Sequence, residues 1–496
     1  MSLFDVKAPV HLRPYQEKAI AEVADLVAAG RRRILVVAAT GAGKTVIFSR
    51  IVADAARSGQ SALVIAHRRE LILQTYRKLL DAGLHEGQVG ILMANDPRRR
   101  PVAPVQVASI DTLRHRRKPP ADMVVVDEAH RELARSYCQV REAYPSALHL
   151  GFTATPFRAD NRGLGEFYEA LVVAASIGDL IAQRYLVEPR VFTVPRGQLP
   201  NLAGVRVRGG DYETHALARE VDKPSLVGNI VEHWKKHAAG VRTVVFAVSV
   251  EHSRHIVERF CAAGIAAEHL DGMTPVRERD AILERLDRGE TTVVSNCAAL
   301  AEGWDMPSVK CAILARPTHS TGLYLQQAGR ILRPWQDHPA VILDHAGCAR
   351  EHGLPQDERE LSLETRAKGK GKDTEPKPAP VRVCEQCFAV LPIATRVCPA
   401  CGWDFPVAKV VPVETETELV LAGRGEPAAA PPRAPKPSAE RPRGAWPLVV
   451  QRAFFEQTRA LARTKKQDLD WVCARFVERY GAQPPPEWLT TAWGIA

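Results

Sequence analysis

No stretch of this chain approaches the roughly 18 uncharged apolar residues that mark a membrane-spanning helix. Its longest apolar runs, ILVVAAT at 34–40 and MVVVD at 123–127, are strand-sized, so no membrane insertion is expected. The opening MSLFDVKAPVHLRPYQEKAI lacks an apolar core ahead of a cleavage site, and no secretory signal is expected either. No internal repeat with a period of about 20–50 residues is found. Acidic residues are in deficit: 57 Asp and Glu face 67 Lys and Arg, a formal charge of +10. The excess favours a polyanionic partner, nucleic acid first, although the basic residues are spread along the chain. Six of the ten cysteines stand singly, at Cys138, Cys261, Cys297, Cys311, Cys348 and Cys473. Scattered thiols suit a reducing cytoplasm.

What is present suffices for several cores. A chain of 496 residues exceeds one ordinary domain, and its 46% hydrophobic and 25% charged residues are globular usage, not that of a disordered or collagen-like chain. Residues 1–175 alternate two patterns: a helix over 14–29, with Pro14 in its first turn, then strands at 33–39, 62–66, 104–108 and 122–126 with helices between. Solidly apolar strands separated by helical stretches read as a parallel sheet covered on both faces. Residues 176–230 are ambiguous. A second run of the same kind has strands near 242–248, 265–269, 291–295, 309–314 and 340–343. Two α/β units in tandem are therefore expected, over 1–175 and 176–362. A Lys/Gly/Pro linker (363–380) and a cysteine-bearing segment (381–406), expected to be a small zinc ribbon, follow. Residues 407–445 are Pro/Ala-rich and expected to be extended or disordered. The tail, 446–496, reads as helical from about 448 to 480.

The chemistry starts at ILVVAATGAGKT, Ile34 to Thr45. A strand ends in a Gly-rich turn, and a helix starts at the Lys-Thr. Gly41 and Gly43 let the main chain approach phosphates, and N–H groups at a helix N-terminus cradle them. In such a loop Lys44 reaches the β- and γ-phosphates and the Thr45 hydroxyl binds Mg2+. The GxxxxGK[ST] pattern is met except at its first position, Ala38. MVVVDEAH (123–130) is again strand then turn, placing Asp127 and Glu128 at the carboxyl end where open α/β sheets bind ligands. Asp127 can hold Mg2+ through water, and Glu128 can orient or deprotonate an attacking water.

ATGAGKT and DEAH together resemble motifs I and II of the superfamily 2 DEAD/DEAH-box helicases. LRPYQ (12–16) resembles the family's Q-motif, AHRREL (66–71) motif Ia, VASIDTL (107–113) motif Ib and GFTATP (151–156) motif III. VVFAVSVEHS (244–253) resembles motif IV, LAEGWDMP (300–307) motif V and YLQQAGRILRP (324–334) motif VI. The resemblance implies two RecA-like parallel-sheet domains with ATP and Mg2+ between them. It implies an adenine reader in Gln16 with Arg13 nearby. It also implies nucleotide contacts from Thr40, Gly41, Ala42, Gly43, Lys44, Thr45, His130, Gly303 and Asp305. Motif VI carries Gln326, Arg330 and Arg333. Spaced three apart, the two arginines are expected on one helix face. A guanidinium fork there suits a phosphoryl group carrying transition-state charge. Arginines on the second unit and a phosphate loop on the first require a closed cleft for hydrolysis.

VCEQC (383–387) and VCPAC (397–401) offer Cys384, Cys387, Cys398 and Cys401 as four thiolates to a tetrahedral Zn2+. A dithiol redox pair and an iron–sulfur cluster are the alternatives. About 25 residues cannot fold on a core alone, so a metal would supply the stability. The stretch 454–489 mixes basic residues with Phe, Trp and Tyr, either as an aromatic-cored helical bundle or as a base-stacking surface. LDHAG (343–347), the four cysteines and this tail resemble the bacterial RadD and phage or prophage helicases. That narrower resemblance implies a DNA-stimulated ATPase in recombination and repair. Its partners would be single-stranded or branched DNA and single-stranded-DNA-binding protein. The readings left open are an RNA helicase, a nucleic-acid-binding adaptor with a vestigial ATPase, and the motor of a restriction system. For the last, no nuclease-like acidic cluster is found.

Overall fold

The computed structural model describes residues 11–364 and 381–405, save 95, 132–134, 157–162, 195–198, 209 and 301–303, together with parts of 452–489. Helix α1 (Pro14–Ala28) precedes strand β1 (Arg33–Ala38), and helix α2 (Lys44–Arg57) follows it. Six further strands complete the first sheet: β2 (Ala62–Ala66), β3 (Val89–Leu92), β4 (Val105–Ser109), β5 (Met123–Asp127), β6 (Leu148–Thr153) and β7 (Ala170–Ala175). Their order is β3-β4-β2-β5-β6-β1-β7, parallel throughout. Helices cover both faces, so β2, β5 and β6 are buried at every residue, as solid apolar runs demand.

A second parallel sheet follows. Its strands are β8 (Pro189–Thr193), β11 (Thr243–Phe246), β12 (Ala267–Leu270), β13 (Val293–Asn296), β14 (Cys311–Leu314) and β15 (Ala340–Asp344), in the order β12-β13-β11-β14-β15-β8. A hairpin of β9 (Val207–Arg208) and β10 (Asp211–Tyr212) sits in the connection after β8. The fold is thus two tandem RecA-like α/β sheets, as expected. Four strands of the two parallel sheets escape the sequence pattern. In β6, His149 and Gly151 interrupt the apolar run LHLGFT. Edge strand β7 is half exposed, β3 is only four residues long, and β8 opens on a proline.

Two smaller parts are appended. Strands β16 (Val381–Val383) and β17 (Val390–Pro392) form an antiparallel hairpin. The hairpin covers the open edge of β8: Thr193 N donates to Phe388 O at 3.1 Å, and Phe192 pairs with Ala389. The chain also returns from the second sheet to the first before the hairpin. Leu361 and Leu363 pack on the first sheet's second core, and Gly165 N donates to Leu363 O at 2.8 Å. The described residues of 452–489 belong to a separate unit. Its described part holds a helix, Leu469–Tyr480, and a cluster of Phe455, Ala462, Val472, Phe476 and Trp488. Phe455, Phe476 and Trp488 are buried against one another, which makes them core and not stacking platforms. The rest of the helix expected from 448 lies partly outside the described residues, as do nearly all of both expected linkers, 363–380 and 407–445.

Gly151 tests the packing between β6 and the layer beside it. A Cβ there would overlap the Tyr168 ring and lie 2.9 Å from Ala129 Cβ. Overpacking of this kind costs about 1–3 kcal/mol. Gly151→Ala should therefore lower the denaturation midpoint, read by urea unfolding; an unchanged midpoint would show that Tyr168 gives way freely.

Candidate active site

Parallel strands deliver their carboxyl ends to one edge, and strand order decides what meets there. β6 lies between β1 and β5. The turn after β1, the acidic turn after β5 and the Thr153 hydroxyl at the end of β6 are therefore neighbours.

The turn after β1 is built on two glycines in the left-handed region, Gly41 (φ 92°) and Gly43 (φ 77°), with Lys44 and Thr45 opening α2. α1 braces it from below. Tyr15 OH and Gln16 Nε2 both donate to Ala42 O at 2.9 Å, while Gln16 Oε1 accepts from Arg13 N at 2.9 Å. A Cβ on Gly43 would sit 2.7 Å from Gln16 Nε2. Gln16, expected to face adenine, is thus buried with both polar ends already holding main chain, leaving it one N–H and one lone pair. Arg13 donates to Tyr15 OH at 3.2 Å and lies 4.1 Å over the Tyr185 ring. Tyr185 gave no signal in sequence, because it reaches this corner from the connection between the sheets.

Asp127 and Glu128 are buried at the end of β5. Glu128 N donates to Asp127 Oδ1 at 3.0 Å, and Glu128 has φ 56°, an uncommon conformation for a side-chain-bearing residue. Its carboxylate collects partners from both sheets. Lys44 Nζ is 3.5 Å from Oε1; His130 Nδ1 is 3.3 Å from Oε2 and also 3.3 Å from Thr153 Oγ1. Gln326 Nε2, from the second sheet's side, reaches Oε2 at 3.5 Å.

Gln326 arrives on the helix Thr321–Gly329, where Gly322, Gln326 and Gly329 share one face. Both glycines are needed for the close approach. A Cβ on Gly322 would be 2.8 Å from Thr155 Oγ1, and one on Gly329 would be 2.6 Å from Thr40 Cβ. Two more ties join the two α/β units. Arg68 donates to Ala299 O (2.8 Å) and Ala298 O (3.1 Å), and Arg279 pairs with Glu70 at 3.1 Å.

The expected pair of arginines on one helix face is corrected. The helix ends at Gly329, so Arg330 caps it and Arg333 lies beyond. Arg333 precedes Pro334, a position held out of helical conformation by the proline ring. Arg330 Nη1 donates to Trp304 O at 2.5 Å, and Arg333 forms an ion pair with Asp305. Burial lowers the proton affinity of Arg333, with Asp305 opposing the shift. Gly303 lies outside the described residues.

The four cysteines of the hairpin segment form a separate centre. Cys384 and Cys401 sulfurs are 3.6 Å apart, as are those of Cys387 and Cys398, and all four lie within 4.8 Å of one another. A tetrahedral ion with Zn–S bonds of about 2.3 Å requires sulfurs about 3.8 Å apart, so the donor set fits Zn2+. Burial acts to raise the Cys384 thiol, yet the N–H groups of Cys387 and Gln386, together with the neighbouring Cys401 and Cys387 thiols, bring it down to about 7. Burial pushes Cys387 up to about 12.

Two family models match the chain: the res subunit of type III restriction enzymes over residues 9–158, and the helicase conserved C-terminal domain over 222–334. A 51.5 kDa protein of a Lactococcus phage is 30% identical over 383 residues, covering 77% of this chain and 80% of that one. The chain belongs to the superfamily 2 helicases. IRC3 of Saccharomyces cerevisiae, provisionally named an ATP-dependent helicase, is 32% identical over 360 residues, 68% of this chain and 51% of that protein. In fold, the helicase is similar to a fragment assigned to the HsdR subunit of a type I restriction enzyme from Vibrio vulnificus. The TM-score is 0.54 at 19% identity, covering 72% of this chain and 68% of that one. Membership makes it an ATP-hydrolysing enzyme acting on nucleic acid. Among the described residues no helix is long and apolar enough to cross a membrane.

Zinc at the four-cysteine centre has a direct test. Cys398→Ser should lower the zinc bound per chain, measured by metal analysis of the purified protein. Unchanged stoichiometry would exclude this ligand set.

Proposed function

We propose that this helicase is a DNA-dependent ATPase that moves along or remodels DNA. The observation that carries the ATPase part is the convergence on one buried carboxylate, Glu128, of Lys44 and His130 from the first sheet and Gln326 from the second. In this reading the Gly41–Thr45 loop holds the phosphates of ATP. Thr45 and Asp127 hold Mg2+, which neutralises phosphate charge. Glu128 orients and deprotonates the attacking water. Lys44, paired with this carboxylate at 3.5 Å, leaves it for the γ-phosphate when nucleotide enters. Arg330 and Arg333 supply positive charge from the second sheet, so that turnover depends on closure. Nucleic acid lies across both sheets over 66–71, 107–113, 244–253 and 300–307.

DNA over RNA is supported by the LRPYQ segment, by the four-cysteine centre and by the restriction-enzyme family matched at residues 9–158. The resemblance to RadD and to prophage helicases supports a place in recombination and repair, in contact with single-stranded-DNA-binding protein. Thiols scattered singly along the chain support a cytoplasmic setting.

The test is ATP hydrolysis by wild type and Glu128→Gln with no polymer, single-stranded DNA, forked duplex DNA and single-stranded RNA. DNA should raise wild-type turnover more than RNA. Glu128→Gln should bind ATP yet lose about 10²-fold or more in kcat, the scale of a positioned general base. Equal stimulation by RNA would favour the RNA helicase, and ATP binding without turnover on any polymer would favour the adaptor. Lys44→Ala should also abolish hydrolysis while leaving DNA binding largely intact.

A further inference from the structure

The segment after the helix Thr321–Gly329 poses a problem of satisfaction. The helix's own last carbonyls, Gln327 O, Ala328 O and Gly329 O, accept from the N–H groups of Arg330, Ile331 and Leu332, but the carbonyls beyond lie in irregular chain that runs to Pro334, which has no N–H to give. Three successive carbonyls in this segment are nevertheless all taken. Lys310 Nζ donates to Ile331 O at 2.9 Å and to Arg333 O at 2.6 Å, while Val187 N takes the one between, Leu332 O, at 2.8 Å. Lys310 is only 1% exposed, at the entrance to β14. A buried ammonium is costly, and burial brings this one down to about 8. An apolar residue would pack there more easily, so the lysine is present for its donors.

Those donors act on one place. The arginines at either end of the gripped segment, Arg330 and Arg333, are the ones aimed at Trp304 O and Asp305. We propose that Lys310 is a positioning residue for ATP hydrolysis, shaping the 330–333 main chain so that Arg330 and Arg333 meet the developing charge on the phosphoryl group. This rests on the reading of those arginines given above. Lys310 touches no substrate; it acts through the arginines. A further consequence is that Val187, in the connection between the sheets, shares the same grip.

Lys310→Met keeps length and bulk and removes every donor. Its steady-state ATPase is measured with saturating single-stranded DNA, beside binding of ADP–beryllium fluoride and ADP–aluminium fluoride. A residue needed only for folding would lower stability and leave the kinetics of the folded fraction alone. A positioning residue gives a split: kcat should fall by about tenfold or more while KM for ATP moves by less than about threefold. The preference of wild type for the transition-state mimic, aluminium fluoride, should be lost. Lys310→Gln, with a shorter neutral donor, should fall between the two; it carries the same readouts if Lys310→Met does not fold. Wild-type kcat and wild-type preference in either folded variant would overturn the assignment. Arg333→Ala is the control. If it retains full turnover, or if wild type hydrolyses no ATP on any polymer, the reading of the arginines fails first and the role of Lys310 goes with it.

Discussion

A buried carboxylate that has given up its water and needs protein partners in its place is the constraint on which this structure turns. Burying an ion is unfavourable unless partners replace the water it gives up. Glu128 meets this with an ammonium 3.5 Å away, an imidazole at 3.3 Å and an amide from across the cleft. Each partner fixes a larger element. Lys44 ties the carboxylate to the turn after β1, His130 links it to β6 through Thr153, and Gln326 requires the second sheet to stand close by. The close stand in turn requires Gly322 and Gly329, because any Cβ would collide with Thr155 and Thr40. The strained φ of Glu128 belongs to the same set, since such strain persists only where surroundings over-determine it.

Much of this was legible in the sequence, and for a physical reason. Strands buried on both faces must be apolar throughout, so Ala62–Ala66 and Met123–Asp127 announce themselves. The phosphate loop is readable because only glycine serves at two of its positions. The misses are equally physical. β6 hides because it carries His149 and Gly151, one bonded to Tyr144 O and the other making room for Tyr168. Arg330 and Arg333 were expected on one helix from their spacing, but spacing cannot reveal where a helix stops. Lys310 and Tyr185 act across long sequence separations. The faint signal for Lys310 was a single charge in the otherwise apolar stretch VKCAILA.

The four-cysteine hairpin illustrates a second economy. Edge strand β8 would expose unpaired main-chain groups, and the hairpin supplies the missing neighbour through Phe388 and Ala389. Whatever else this small module contacts, its fold is tied to the second sheet, so the order of its cysteines and the protection of that edge are linked.

Among the described residues the chain crosses between the sheets twice, and the crossings touch. Outbound, it passes through Val187 and Glu188; inbound, it leaves Leu354 and lands with Leu361 and Leu363 on the first core. Gln356 Nε2 donates to Glu188 Oε1 at 3.2 Å, and Gln356 O lies so close to Gly178 that a Cβ there would be 3.0 Å away. A single strand between two bodies is a thread, about which they can swivel. Two strands side by side make a band, which bends easily across its width and resists twisting. Such a band favours bending about one axis, like the covers of a book, over swivelling, and the closed position is the one in which Gln326 reaches Glu128.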